Sequence, residues 1–323
     1  MLAVYAEKGD QNKPLSGLRV GEQPNPSIPD GWVRVTISHA SLNRHDIFTL
    51  MGISARPEGI TFPIILGNDG AGKLDDGTEI GIYPILNQPE FINNELMDPQ
   101  IRLFSENIPG TFAEYVAIPK RNAIPLPKGL SAQDASVLGT AWLTAYRMLF
   151  TKSNLKSGQT MLVQGAGGGM ATALIQMGKA AGYEVWATAQ NDGAREVSKK
   201  LGADKVFGVN EKLPQKVAAV FDNVGPATFE HSIQSTQKGG TIVICGITTG
   251  ANFNLNILPI FIDELKIVGS IMGTFEEMKH MMNFIVTAGI KPEVGTLLPL
   301  QKAEEGIRLM HEGKAKGKIV FTL

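Results

Sequence analysis

A chain of 323 residues is longer than one ordinary core accommodates, so two domains are expected. With 43% hydrophobic and 19% charged residues, the composition is globular and excludes a disordered chain. Thirty basic and 31 acidic side chains leave a net charge of −1 with no basic stripe, so nothing points to nucleic acid or to an anionic membrane surface. No apolar run reaches the roughly 20 residues needed to span a bilayer. The opening MLAVYAEKGDQNKP turns polar too early for a signal peptide, and a cytoplasmic location is the expectation. The single cysteine, Cys245, excludes an internal disulfide and a cysteine-cluster metal site; it is expected as a buried strand residue.

Residues 1 to about 120 read as short strands and turns. Trp32 to Ile37 alternates at period two, and Gly and Pro recur densely, which fits a compact β-barrel-like domain. Residues 86–110 are polar, poorly periodic and long for a loop, the mark of a functional or mobile segment. Together with residues 50–62 they are expected to shape a pocket, as a lid or as an inert remnant. Ser131 is a cap for a helix running from Ala132 through Phe150. Then strands alternate with helices. The strands are Thr160 to Gln164, Glu184 to Ala189, Val217 to Val224, Thr241 to Cys245 and Leu265 to Ile271. This spacing predicts right-handed βαβ units and a parallel sheet. The tail from Phe275 holds two helices and a closing strand, Lys318 to Thr322, with no place in that set; its alternative is a return to the first domain.

Between the first of these strands and its helix lies Gly165-Ala166-Gly167-Gly168-Gly169-Met170. A glycine-rich turn at that junction lets backbone N–H groups approach a pyrophosphate, and the helix N-terminus adds partial positive charge. A bare glycine motif is weak evidence; its place in a βαβ unit is what makes it a dinucleotide site rather than a turn. The next strand ends in Thr188-Ala189-Gln190, with no acid before Asp192 to hold a ribose 2′-hydroxyl. Arg195 is near enough to pair with a 2′-phosphate, or is a solvated helix charge. NADPH is therefore expected over NADH. Asn223-Val224, Gly246-Ile247-Thr248 and Ser270-Ile271-Met272 end later strands, where such sheets bind ligands.

Taken together, several tracts resemble the medium-chain dehydrogenase/reductase superfamily along nearly the whole chain. They are Ser41 to Asp46, Pro63 to Gly72, Gly110 to Tyr115, Leu143 to Tyr146, the glycine loop, Leu201 to Asp204, Asp222 to Gly225 and Gly317 to Val320. The resemblance implies an α/β fold: a doubly wound Rossmann sheet over residues 122–265, and a GroES-like, mostly β catalytic domain built from 1–121 and 266–323. It also implies a homodimer joined through the strand near Leu265 to Ile271. Thr144 would lie with the cofactor, and Lys318 would either reach it or be a surface lysine.

The chain departs from the zinc pattern of that superfamily. Asn43 stands at the first cysteine position, Asn68 and Asp69 at the His-Glu pair, and Thr140 at the third ligand. Amide and hydroxyl oxygens are poor zinc ligands, and the lobe that holds a structural zinc in many relatives corresponds to 86–110, which has no cysteine. Both zincs are expected to be absent. His39, His45, His231, His280 and His311 do not cluster at ligand spacing, and the last three read as helix-surface residues.

Without a metal to stabilise an alkoxide, the expected reaction is hydride transfer from NADPH to a quinone or an α,β-unsaturated ketone, whose developing anion hydrogen-bond donors can hold. The expected catalytic residues are Asn43, Thr140 and His45, the last as a proton donor. The tyrosine of quinone-reductase relatives is Phe48 here, which removes one donor. Two alternatives stay open: a metal-free alcohol dehydrogenase or aldehyde reductase, and a non-catalytic NADPH-binding sensor.

Overall fold

The computed structural model describes residues 1–54 and 58–323; residues 55–57, part of the expected pocket-shaping segment, lie outside the described residues. The chain forms two compact units. The first comprises Met1–Ala141, Thr274–Thr287 and Val294–Leu323, and the second Trp142–Gly273 with Ala288–Glu293.

In the first unit, the strand Trp32–Ser41 is the spine. It pairs antiparallel with Asp69–Leu74, with Tyr115–Pro119 and with Lys318–Thr322. The last of these carries the parallel strand Val294–Pro299. The tail thus completes the first sheet, placing Val320 opposite Ser41. Alternation along these strands, and along Leu2–Ala6 and Glu79–Ile82, turns Val4, Val35, Ile37, Ile80, Ile82, Val116, Ile118, Ile319 and Phe321 into one apolar core. Close backbone approach fixes one position: a β-carbon on Gly72 would lie 2.0 Å from the Thr36 carbonyl oxygen.

The second unit is a six-stranded sheet, parallel throughout. Its order is Lys205–Gly208, Glu184–Ala189, Thr160–Val163, Val217–Asp222, Thr236–Ile244, Lys266–Gly269. The reversal of order beside Thr160–Val163 is the switch point at which such sheets bind ligands. Strands buried on both faces need near-continuous apolar runs, which Met161-Leu162-Val163 and Val185-Trp186-Ala187 supply.

Two expectations change. The seams between the two units fall at 141/142, 273/274, 287/288 and 293/294, in place of the expected 121/122 and 265/266. Ala132–Ala135 packs against strands of the first unit, and Lys266–Gly269 pairs with Thr236–Ile244 in the second. The single helix expected from Ala132 to Phe150 is instead a run of short pieces. Ser131 caps only Ala132–Ala135, and two π-helical turns, Leu138–Trp142 and Met148–Lys152, flank Leu143–Arg147. Such widened turns often occur at functional sites, and the first of these carries Thr140.

Because the contact at Gly72 is with backbone, Gly72→Ala forces the two strands apart. It should cost about 1–3 kcal/mol, read as a lower denaturant midpoint for the first unit with the second unit's transition unchanged.

Candidate functional site

The helix Arg44–Met51 begins with a reciprocal capping box: the Asn43 N–H donates to Asp46 Oδ2 at 2.8 Å, and the Asn43 side chain faces the N–H of Asp46. Gly67 N–H donates to the other oxygen, Oδ1, at 2.9 Å. Asp46 is therefore a brace between the helix and the loop before Asp69. Its carboxyl is pushed up to about 6 by burial, against the opposing pull of the neighbouring His45 and the two N–H donors.

Around Asp69 the side chains converge. Asp69 is fully buried and takes Thr140 Oγ1–H on Oδ1 at 2.5 Å. Its Oδ2 takes Ser41 Oγ–H at 3.1 Å and Asn43 Nδ2–H at 2.8 Å. The second amide hydrogen of Asn43 goes to the Ser41 carbonyl at 3.3 Å. Lys318 Nζ donates to the Leu42 carbonyl at 2.9 Å and to Asn43 Oδ1 at 2.7 Å, and lies 3.4 Å from Asp69 Oδ2. Burial depresses the Lys318 ammonium below the ordinary lysine range, and the Asp69 charge opposes that. Asn43, Asp69, Thr140 and Lys318 therefore form one cluster, with both Asn43 amide hydrogens used inside it. Lys318 is 2% exposed and belongs to this cluster in the first unit, so it is not a surface lysine.

His45 lies next door. Its side chain is 20% exposed, and Nε2 is 2.9 Å from Glu106 Oε1. Asn68 Nδ2 donates to Nδ1 at 2.7 Å, so Nε2 carries the hydrogen and donates to the carboxylate. Glu106 also accepts from Ser54 Oγ at 3.3 Å. Glu106, which carries no motif, comes from the segment 86–110 and is 5% exposed. That segment is tied down elsewhere too: buried Glu95 pairs with Arg121 at 2.5 Å, and Asp98 accepts from Gln88 and Gln100.

In the second unit, Gly165 and Gly167 have φ of 70° and 113°, the left-handed region that favours glycine. Gly168 is the N-cap of Gly169–Ala180, and no side chain caps that helix. A β-carbon on Gly168 would meet nothing within 4 Å. The N–H groups of Gly169 and Met170, at a helix start that no side chain caps, fit a pyrophosphate. Ala166 N–H donates to the Thr188 carbonyl at 2.7 Å. Gly165 N–H donates to Thr188 Oγ1 at 3.1 Å, so buried Thr188 braces the loop from beneath. Ala189 is buried behind it and Gln190 is exposed. Arg195 donates to the Val206 carbonyl at 2.6 Å, which holds one end of its guanidinium against the sheet.

Asn223 and Val224 follow the strand Val217–Asp222 at the same end of the sheet. The Asn223 carbonyl accepts from Thr248 Oγ1 at 3.1 Å, which ties that loop to Gly246-Ile247-Thr248. Ile247 and Ile271 are 57% exposed, while Met272 is buried, with its sulfur 4.0 Å from Thr144 Oγ1. The Ser270 hydroxyl is buried with no hydrogen-bond partner among the described residues.

His231, read as a surface residue, is 7% exposed: Gln164 Nε2 donates to its Nδ1 at 2.9 Å, and its Nε2–H donates to the Glu211 carbonyl at 2.7 Å. The reason is a buried polar network that turns this side of its helix inward. His280 and His311 are exposed. Cys245 is only partly buried, lying just past the end of its strand, and burial pushes its thiol up to about 12.

Raising the folded-state pKa of Asp46 means the native state keeps a proton that the unfolded chain releases near 3.8. That contribution is full at low pH and is lost as pH rises through about 6. Relative to Asp46→Asn, the wild type should therefore lose roughly 3 kcal/mol of stability between acid and neutral pH, measured by urea unfolding of both proteins across that range.

The comparisons with known proteins agree with this architecture. The family model "Alcohol dehydrogenase GroES-like domain" matches residues 29–128, and "Zinc-binding dehydrogenase" matches 169–287. An acryloyl-coenzyme A reductase of Sulfurisphaera tokodaii is 27% identical over 327 residues, 95% of this chain and 97% of the relative. An alcohol dehydrogenase of Geobacillus stearothermophilus is 26% identical over 338 residues, 97% of each chain. The crystal structure of an NAD-dependent alcohol dehydrogenase superposes with a TM-score of 0.91 at 31% identity, covering 100% of both chains. The chain is thus an oxidoreductase of the medium-chain dehydrogenase/reductase superfamily, with the GroES-like domain and Rossmann-like parallel sheet of its alcohol-dehydrogenase-like members.

Proposed function

We propose that this enzyme is a zinc-independent, NADPH-dependent reductase of an α,β-unsaturated carbonyl or quinone acceptor. The observation that carries the reading is the closed cluster around Asp69. At three of the four positions of the zinc pattern, Asn43, Asp69 and Thr140, this chain has an amide, a carboxylate and a hydroxyl already bonded to one another, and at the fourth Asn68 donates to His45. A buried ammonium donates into the same set. A divalent cation there would face that ammonium and lack soft donors, so the residues do not fit zinc. The acryloyl-coenzyme A reductase among the relatives supports an acceptor with a conjugated carbonyl.

The glycine loop and the open start of Gly169–Ala180 would hold the pyrophosphate, and the absence of an acid at Ala189-Gln190 favours the 2′-phosphate form. The bound reduced nicotinamide supplies the hydride. Reduction of a conjugated carbonyl then needs one proton for the enolate formed on the acceptor. His45 is the partly exposed imidazole of the neighbourhood suited to deliver it: a turned Asn68 amide would set its Oδ1, which has no partner among the described residues, toward a protonated Nδ1, while Glu106 accepts Nε2–H of the imidazolium. Asn43 and Thr140, whose donors are committed to the Asp69 cluster, act as positioning residues. The second reading is a metal-free alcohol or aldehyde oxidoreductase, favoured by the likeness to an NAD-dependent alcohol dehydrogenase. Alcohol-dependent NADP reduction that persists after chelation would select it.

The edge strand Lys266–Gly269 carries exposed Ile267, and Ile257, Leu258, Phe261, Ile262 and Ile271 nearby are more than half exposed. Exposed apolar surface beside an unpaired edge favours edge-to-edge pairing with a second copy, so a homodimer joined there is part of the proposal.

Metal-analysed, chelator-treated enzyme should oxidise NADPH with a simple enone at an undiminished rate. His45→Gln should lower kcat by about 100-fold or more, with Glu106→Gln intermediate and NADPH affinity unchanged in both. Stoichiometric zinc whose removal abolishes turnover would overturn the reading.

Ile267→Lys should shift the protein from dimer to monomer in sedimentation. A wild type that sediments as a monomer would remove the dimer.

A further inference from the structure

Beneath the glycine loop lies a chain of buried hydrogen bonds that the reaction itself does not use. It starts at Asp222, fully buried, whose carboxylate receives Val224 N–H at 2.9 Å, Gly225 N–H at 3.0 Å, Thr228 Oγ1–H at 2.9 Å and Ser232 Oγ–H at 2.7 Å. All four donors point at it, so the carboxyl only accepts. The single hydroxyl hydrogen of Ser232 is directed to Asp222, or to the Thr228 carbonyl at 3.1 Å; either way its lone pair faces Gln164 Nε2, 3.1 Å off. That fixes the Gln164 amide with nitrogen toward Ser232 and His231 and with Oε1 toward Thr188, whose hydroxyl donates at 2.8 Å. Thr188 Oγ1 in turn accepts Gly165 N–H. At the far end, the Glu211 carbonyl demands a hydrogen on His231 Nε2, which leaves Nδ1 to accept from Gln164. Every orientation in the chain follows from the acceptor at one end and the carbonyl at the other.

We propose that Gln164 and His231 are positioning residues for the cofactor loop, and that dinucleotide binding requires the uncharged imidazole of His231. A hydrogen on Nδ1 would confront the Gln164 NH2. Turning the amide to relieve this would set Oε1 against the Ser232 oxygen and withdraw the acceptor from Thr188, the residue that holds Gly165. Among the described residues, no carboxylate compensates the added charge directly. The Glu211 side chain is turned to Gly208 N–H at 2.6 Å, Glu230 on the same helix is engaged by Gln234, Asp222 is reached only through Ser232, and the remaining neighbour is the Ser235 hydroxyl at 3.3 Å. The proposal rests on the reading of the glycine loop as the dinucleotide site, and it makes cofactor affinity fall on acidification through a residue remote from the loop in sequence.

The test is the Kd for NADPH, followed by fluorescence at about pH 8 and about pH 5.5, on either side of ordinary imidazole titration. The full-length wild type is compared with His231→Asn and Gln164→Leu. His231→Asn keeps an acceptor for Gln164 but cannot take a proton. The wild type should weaken between the two conditions by about fivefold or more beyond His231→Asn, a comparison that cancels titration of the nucleotide's own phosphate. Gln164→Leu should bind more weakly than wild type at the higher pH and should share the flattened pH dependence of His231→Asn. Equal acid weakening in wild type and His231→Asn, with both folded by circular dichroism, would overturn the coupling alone. Failure of the wild type to bind NADPH at the higher pH would overturn the assignment of the loop itself.

Discussion

Burying a carboxylate is costly unless its oxygens are filled with donors and its charge is answered. The first unit is organised around doing both for Asp69. The strand Trp32–Ser41 brings Ser41 and leads into Asn43, a π-helical turn delivers Thr140, and the strand Lys318–Thr322 delivers the ammonium. None of these groups is near another in the chain except Ser41 and Asn43. Replacing any one of them leaves the others with an unmade hydrogen bond in a dry interior, which is dearer than never having had the group there. Loss of one partner from such a pair typically costs about 3–5 kcal/mol.

The second unit repeats the device with different parts. Asp222 fills its oxygens from the loop that follows it and from the helix Pro226–Ser235, and passes the pattern through Ser232 and Gln164 to the glycine loop. In both units a buried acid fixes the donors and acceptors around it, and a loop of functional interest inherits that order. Polar networks of this kind specify geometry more than they add stability. The two units also differ in what they leave open. The Asp69 cluster is closed upon itself, while the loop above Gln164 leads into a helix start that no side chain caps.

The parallel sheet and the glycine loop were legible in the sequence because they rest on local signals: apolar runs of strand length, and glycines at a strand-to-helix junction. The positions of Asn43, Asp69 and Thr140 followed from the resemblance. Glu106 was not legible. It sits in an aperiodic segment, 61 residues from His45, and only the fold brings the two within 2.9 Å. Lys318 looked like a lysine near the end of a strand, and nothing local distinguishes one that faces solvent from one that faces a carboxylate. His231 lies on a helix whose inward side carries Thr228, Ser232 and Ser235, so a rule that turns apolar residues inward assigns its faces wrongly. The interruption of the helix after Ala135 had no breaker in the sequence beyond Gly139. A β-carbon at Gly139 would come within 2.8 Å of Asp69 Oδ1, so the glycine serves the cluster and not the helix.

The assembly of the first unit from separated stretches of chain has a consequence for how the protein is made. Asn43 and Asp69 are synthesised well before the ammonium that answers them, which is carried by residue 318. During translation the sheet around Trp32–Ser41 lacks the strand Lys318–Thr322, and Asp69 lacks its counter-ion, until nearly all of this sequence has emerged from the ribosome. The second unit, whose strands are contiguous in the chain, has no such dependence. Order of birth therefore favours a nascent chain in which the nucleotide-binding half matures first and the half that carries His45 closes last.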